Sequence, residues 1–285
     1  MPKPIAALAA ALSLALPATA AHAQPAPAPQ PAARWHLDGA TTRCVLTRRL
    51  EGTPGAATFI LRTLPGSGRY DLMLAGSELP RELRAGREVS IAFAPGGSRH
   101  ERRLSRIDLP GGLDNAVVVT PLGGPFLSEF ARASTLEISG EGGRPLGSWT
   151  VPAAARAADA LAACEAEKQV DWGADPAGFE PGAMPPRRIG DSYEWLTARD
   201  LGMLQVLAST AVAAVFRLEV GADGRATRCI LLESGGSIAV GPGACRALVR
   251  RARYEPARDP RGNPVRSVDI FSVAARAELE FRPIG

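Results

Sequence analysis

The sequence predicts an α+β protein, with a β-rich N-terminal domain closed by a helix and then a smaller domain of β-hairpin, helix and long last strand. Three observations carry this reading. Short apolar runs recur between Gly and Pro from Trp35 onward, an Ala-rich stretch follows Pro152, and residues 215–281 switch between a period of two and a helical period.

Taken in order, Met1 to Ala23 reads as a cleavable signal peptide: Lys3, the apolar run Ile5 to Leu16, then Ala21-His22-Ala23. That run is short of the roughly 20 residues that span a bilayer, so export to the periplasm is the expectation and an inner-membrane anchor the minority alternative. Residues 24–34 form a Pro/Ala spacer. Residues 35–170 form the β-rich domain, of unknown role, with strands expected at Cys44–Leu50, Thr58–Leu64, Tyr70–Leu74, Val89–Phe93, Ala116–Thr120 and Thr135–Ser139. One helical excursion is expected at Phe126–Ala133, and a closing helix opens at Pro152 and runs to about Val170. Residues 171–190, rich in Gly and Pro, mark a linker and domain boundary.

Residues 191–285 are the most legible. A helix is expected at Thr197–Ser209. Phe216, Leu218 and Val220 alternate with Arg217 and Glu219, Asp223-Gly224 supplies a tight turn, and Cys229–Glu233 returns as the partner strand. Pro242 to Tyr254 reads as a helix with Cys245, Leu248, Val249 and Ala252 on one stripe and Arg246, Arg250 and Arg253 facing away. Alternating apolar residues then predict a last strand over Val268–Phe281.

Composition narrows the function classes. The chain carries 33 basic and 29 acidic residues, a formal charge of +4, too weak an imbalance to demand nucleic acid. Three histidines and the absence of P-loop, G-x-S-x-G, C-x-x-C and H-E-x-x-H patterns argue against an enzyme, a cofactor or a metal centre. His36 reads as a surface or packing residue, and His100 sits in the charged run Arg99–Arg103, read as a solvated hairpin. Trp149, Trp172 and Trp195 are scattered and read as anchors. Four cysteines in an exported chain favour disulfides, and three pairings are open to them. The helical positions of Cys164 and Cys245 on apolar faces favour Cys44 with Cys164 and Cys229 with Cys245.

The segments FRLEVGADGRATRCILLESGG and ACRALVRRARYEPARDPRGNPV, followed by the last strand and preceded by Trp195-Leu196-Thr197 with Asp200, resemble the C-terminal domain of TonB-family energy transducers. The resemblance covers about a third of the chain. It implies a periplasmic domain that binds an outer-membrane TonB-dependent receptor by accepting a short receptor segment along its edge strand, in energy-coupled transmembrane transport. The implied edge residues are Val268, Ile270, Ser272, Ala274, Arg276 and Glu278. Arg246, Arg250 and Arg253 form a candidate basic face toward envelope proteins or a cell-wall polymer. The alternative is a soluble periplasmic adaptor or envelope scaffold that uses the same domain without coupling to a motor.

Overall fold

In the N-terminal half, apolar side chains turn inward at every second residue, as at Val89, Ile91 and Phe93, all nearly inaccessible to solvent. The computed structural model describes residues 34–39, 42–83, 86–106, 116–123, 125–197, 199–201, 211–236 and 240–276. The expected signal peptide, most of the spacer, the helix beyond Leu201 and the last-strand residues from Ala277 on, Glu278 included, lie outside the described residues.

Ten strands form one sheet with antiparallel pairing throughout: β1 (His36–Asp38), β2 (Cys44–Leu50), β3 (Gly52–Thr53), β4 (Ala57–Thr63), β5 (Tyr70–Ala75), β6 (Glu88–Ala94), β7 (His100–Arg106), β8 (Val117–Leu122), β9 (Thr135–Ser139) and β10 (Pro145–Thr150). Their order is β1-β2-β4-β5-β8-β7-β6-β9-β10-β3. Because β3 continues β2 along the chain, pairing of β10 with β3 closes the sheet into a barrel-like ring. At the seam the Thr150 N–H donates to the Glu51 carbonyl at 2.9 Å.

Two helices, α1 (Phe126–Arg132) and α2 (Ala154–Asp171), cover the interior. Phe126 and Phe130 of α1 meet Phe59, Phe93 and Tyr70 with ring centroids 5.2–5.7 Å apart. Truncating one such ring to Ala typically costs about 3–5 kcal/mol. Helix α2 buries Ala157, Leu161 and Cys164, the face read from the sequence, and a Cys44–Cys164 disulfide joins it to β2 across a Cα separation of 6.2 Å. The helix starts two residues later than Pro152: Ala153 takes a left-handed φ of 55°, and the Pro152 carbonyl accepts from Trp35 Nε1 at 2.8 Å. The charged run Arg99–Arg103 opens β7, the second arm of a β6–β7 hairpin whose Arg99, Glu101 and Arg103 are exposed as expected, but His100 within it is buried.

Downstream come β11 (Arg187–Arg188), β12 (Ala211–Val220), β13 (Ala226–Gly236), α3 (Pro242–Arg251), β14 (Tyr254–Glu255), β15 (Ala257–Arg258), β16 (Pro264–Val265) and β17 (Ser267–Arg276). A three-stranded sheet runs β13-β12-β17, while β11 pairs with β14 and β15 with β16. Helix α3 lies on one face of the larger sheet and is tied to β13 by the Cys229–Cys245 disulfide. Leu248 and Ala252 of the expected stripe are fully buried together with Ala244 and Ala247, while Cys245 and Val249 are only half-buried. The helix ends at Arg251 because Tyr254 is drawn into β14, buried against Trp195 at a centroid distance of 5.3 Å.

The buried apolar residues form two main clusters, one inside the ring and one between α3 and its sheet. The described residues nonetheless belong to one compact unit. Segment 171–190, expected as a linker, is held against the C-terminal half: Met184 and Arg258 exchange backbone hydrogen bonds of 2.9 Å, and the Asp175 N–H donates to the Arg266 carbonyl at 3.0 Å. Three α-helices among otherwise strand-rich described residues make the protein α+β. No helix among the described residues is long and apolar enough to cross a membrane, and two disulfides fit an oxidising compartment.

Gly224 in the β12–β13 turn has φ +74°, and a Cβ there would overlap the Tyr254 carbonyl oxygen. Gly224→Ala is therefore expected to lower stability by about 1–3 kcal/mol, read from chemical denaturation of the oxidised protein.

Candidate functional site

The C-terminal sheet offers an edge because β17 pairs with β12 on one side, from Val220↔Ser267 to Ala211↔Arg276, and with no strand on the other among the described residues. In an antiparallel strand the backbone N–H and C=O of alternate residues point together toward, then away from, the partner. The parity is legible here. The Arg266 carbonyl is turned to Asp175, the Val268 carbonyl to Gly66, and the Ile270 carbonyl accepts from Arg188 Nη2 at 2.7 Å. Even-numbered residues therefore face outward, the set the sequence singled out.

The structure divides that set. Val268 and Ile270 are buried, and their side of the edge is covered by the chain itself. Arg188 makes the cover: its guanidinium holds both Asp269 oxygens at 2.8 and 2.9 Å and lies over the Phe271 ring, its Cζ 5.4 Å from the centroid. Tyr254 completes the cluster by donating to Asp269 Oδ2 at 2.8 Å, and burial together with that carboxylate pushes the phenol pKa well up, so the hydroxyl remains a donor. Ser272 and Ala274 are exposed, and Arg276 closes the described strand. The open template is thus the distal half, where outward N–H and C=O groups can take an extended segment.

The second face of this sheet is not free either. Arg217 stacks over Trp172 at the end of α2, its Cζ 4.9 Å from the ring centroid, and Arg43 beside β2 pairs with Glu233.

The basic face is smaller than expected. Arg246 and Arg250 are exposed around a shallow depression of about 450 Å³ with Arg228, above Val249 and the Cys229–Cys245 bridge. Arg253 is set apart: it is half-buried, forms an isolated bridge with Arg225 and donates to the Ala252 carbonyl at 2.7 Å.

Inside the ring, sequence reading missed a buried polar group. His100 Nε2 lies 2.7 Å from Glu129 Oε2, and Ser98 Oγ donates to Glu129 Oε1 at 2.6 Å. Burial opposes the Glu129 charge, but the hydrogen bonds from Ser98 and His100 outweigh it and hold the carboxyl below the usual range. Ser98 bonds the carboxylate rather than the imidazole, so no nucleophile–base relay is formed. The group joins the β6–β7 loop to α1. His36 is exposed on β1.

The residues Thr197 and Asp200, noted at the start of the C-terminal domain, bond reciprocally: Thr197 N–H and Oγ1–H donate to Asp200 Oδ2 at 2.8 and 2.7 Å, and the Asp200 N–H donates back to Thr197 Oγ1. This is the capping-box arrangement of a helix start. Arg251 at the end of α3 adds a 2.6 Å bond to the same carboxylate.

Comparison with family models, curated proteins and solved structures returns no match.

Burial works against the charge of Asp200, but the Thr197 and Arg251 contacts outweigh it and lower its pKa to about 2 from 3.8. A depressed carboxyl stabilises the fold fully above its unfolded value, and the contribution disappears as pH falls through the folded one. Asp200→Asn should therefore lower the melting temperature near neutrality, and its deficit relative to the parent should shrink between pH 4 and pH 2, read from melts across that range.

Proposed function

We propose that the C-terminal domain is TonB-like and binds a short extended segment of an outer-membrane receptor by strand addition to β17, in energy-coupled transport across the envelope. The outward-facing backbone at Ser272 and Ala274, on a strand paired only with β12 among the described residues, carries the reading. Main-chain hydrogen bonds would supply most of the affinity, and side chains flanking the edge the selectivity. The order of hairpin, α3 and β17, with the Thr197–Asp200 pair ahead of them, supports this reading.

A second reading has its own observation. The sheet's other face rests on the N-terminal half through Trp172 and Arg217, so a globular body stands where a transducer carries a long spacer. This favours a soluble periplasmic adaptor that binds the same kind of segment without a motor. Intact mass of the exported protein separates the two readings: a chain beginning at Gln24 supports the adaptor, and one retaining the apolar leader supports the anchored transducer.

Proline scanning tests the edge. Ala274→Pro removes an outward N–H and is expected to weaken binding of a synthetic receptor-segment peptide roughly tenfold or more with the melt little changed. Val273→Pro removes an N–H of the β12 ladder and is expected to lower the melt instead. A well-folded Ala274→Pro variant that binds the peptide normally rules out strand addition here.

A further inference from the structure

A crevice of about 300 Å³ lies where the ring, segment 174–186 and the start of β17 meet. Tyr70, Glu165, Gln169, Asp175, Ser267 and Asp269 contribute its polar lining. Junctions of this kind, at the small end of ligand-pocket volumes, are frequent binding sites.

Two features of this lining are unexplained by folding alone. First, the Glu165 carboxyl is largely withdrawn from water, yet its partners are neutral hydroxyls: Thr63 Oγ1 donates to Oε1 at 2.8 Å and the Tyr70 hydroxyl to Oε2 at 3.2 Å. A carboxylate has about four acceptor sites, so two donors leave capacity for a cation. Asp269, by contrast, already has Arg188. Second, Ser267 is only 8% exposed, and its buried Oγ has no hydrogen-bond partner in the structure. Alternation along β17 puts its side chain on the same face as Asp269, which also lines the crevice. A buried hydroxyl left unpaired is destabilising, and a bound polar molecule would supply its partner.

We propose that this crevice binds a small amino alcohol, its ammonium group on Glu165 and its hydroxyl on Ser267. Gln169 is a second polar residue on the same wall: its Nε2 donates to the Glu165 backbone carbonyl at 3.2 Å, and its Oε1 lies beside Gly66. The site is independent of the docking edge, because the outward backbone at Ser272 and Ala274 is not part of its lining.

Protonation adds a signature. Burial raises the Glu165 pKa above its ordinary value, and the Thr63 and Tyr70 hydrogen bonds offset this in part. The cation needs the ionised form, so affinity should rise with pH through that raised value. Tyr70, Asp175, Arg266 and Asp269 are the other ionisable groups facing the crevice. Tyr70 is pushed far up by burial and by Glu165, and stays protonated throughout.

The test is calorimetric titration of the oxidised protein with aminobutanol, using butanediol as the uncharged match of similar size. Saturable binding of aminobutanol, at least about tenfold tighter than butanediol, is expected, weakening as the solution is acidified. Glu165→Gln and Ser267→Ala should each lower the affinity while keeping a cooperative melt; should Glu165→Gln fail to fold, Ser267→Ala and Gln169→Ala carry the test. Equal binding of the two compounds, no saturable binding, or unchanged affinity in the folded variants overturns the proposal.

Discussion

The final turns of α2 are the constraint on which the relation between the two halves depends. Cys164 fixes this stretch to β2, Glu165 reaches the Thr63 and Tyr70 hydroxyls of β4 and β5, and Trp172 supplies the ring over which Arg217 of the C-terminal sheet lies. In the chain-entropy model a disulfide closing a loop of this length contributes about 5 kcal/mol by restricting the unfolded chain. Its larger effect here is geometric: without a fixed α2, neither the Glu165 wall of the crevice nor the Trp172 platform has a defined position.

That anchoring explains why β17 behaves as two half-strands. Near Ser267 both faces and the outer edge are engaged, so Val268 and Ile270 are core residues despite pointing to the side away from α3. Beyond Ile270 the cover ends with Arg188, whose three-way engagement of Asp269, the Ile270 carbonyl and the Phe271 ring caps the covered stretch. Arginine suits the position because its planar fork can serve a carboxylate and a carbonyl at once, which a lysine ammonium does with less geometric control. A segment added along the edge would meet this guanidinium as its limit, which confines the docking register to the distal half.

Much of this was legible where a single local rule decides the outcome. Strands β2 and β9 fall where alternation between turn residues placed them, the Asp223-Gly224 hairpin follows from positive φ at Gly224, and both disulfides join cysteines on helix faces turned to a sheet. The failures have a common cause, which is tertiary context overriding a local signal. The charges of Arg99, Glu101 and Arg103 are solvated as their run suggests, yet alternation turns His100 inward, where it finds Glu129 on a helix 29 residues away. On α3, Leu248 and Ala252 were placed correctly but Val249 was read as deeper than Ala244 and Ala247, because these alanines, small enough for close approach to the sheet, carry less hydrophobic weight.

The same logic separates what holds the protein together from what it presents. Polar groups such as the buried Glu129 and the half-buried Asp200 are over-determined, each accepting bonds from two residues; for Glu129, removing one donor leaves a desolvated charge only partly satisfied. Arg246 and Arg250 are the opposite case: they stand at i and i+4 on α3, where like charges repel by a few tenths of a kcal/mol. Arg250 lies in the last turn, where the helix dipole offsets part of that repulsion, so its exposure follows from helix electrostatics before any partner is invoked. Ser272 and Ala274 have no such internal account. Their outward backbone groups take no part in the β12 ladder, and that is the physical ground for proposing recognition at the strand edge rather than at the basic face.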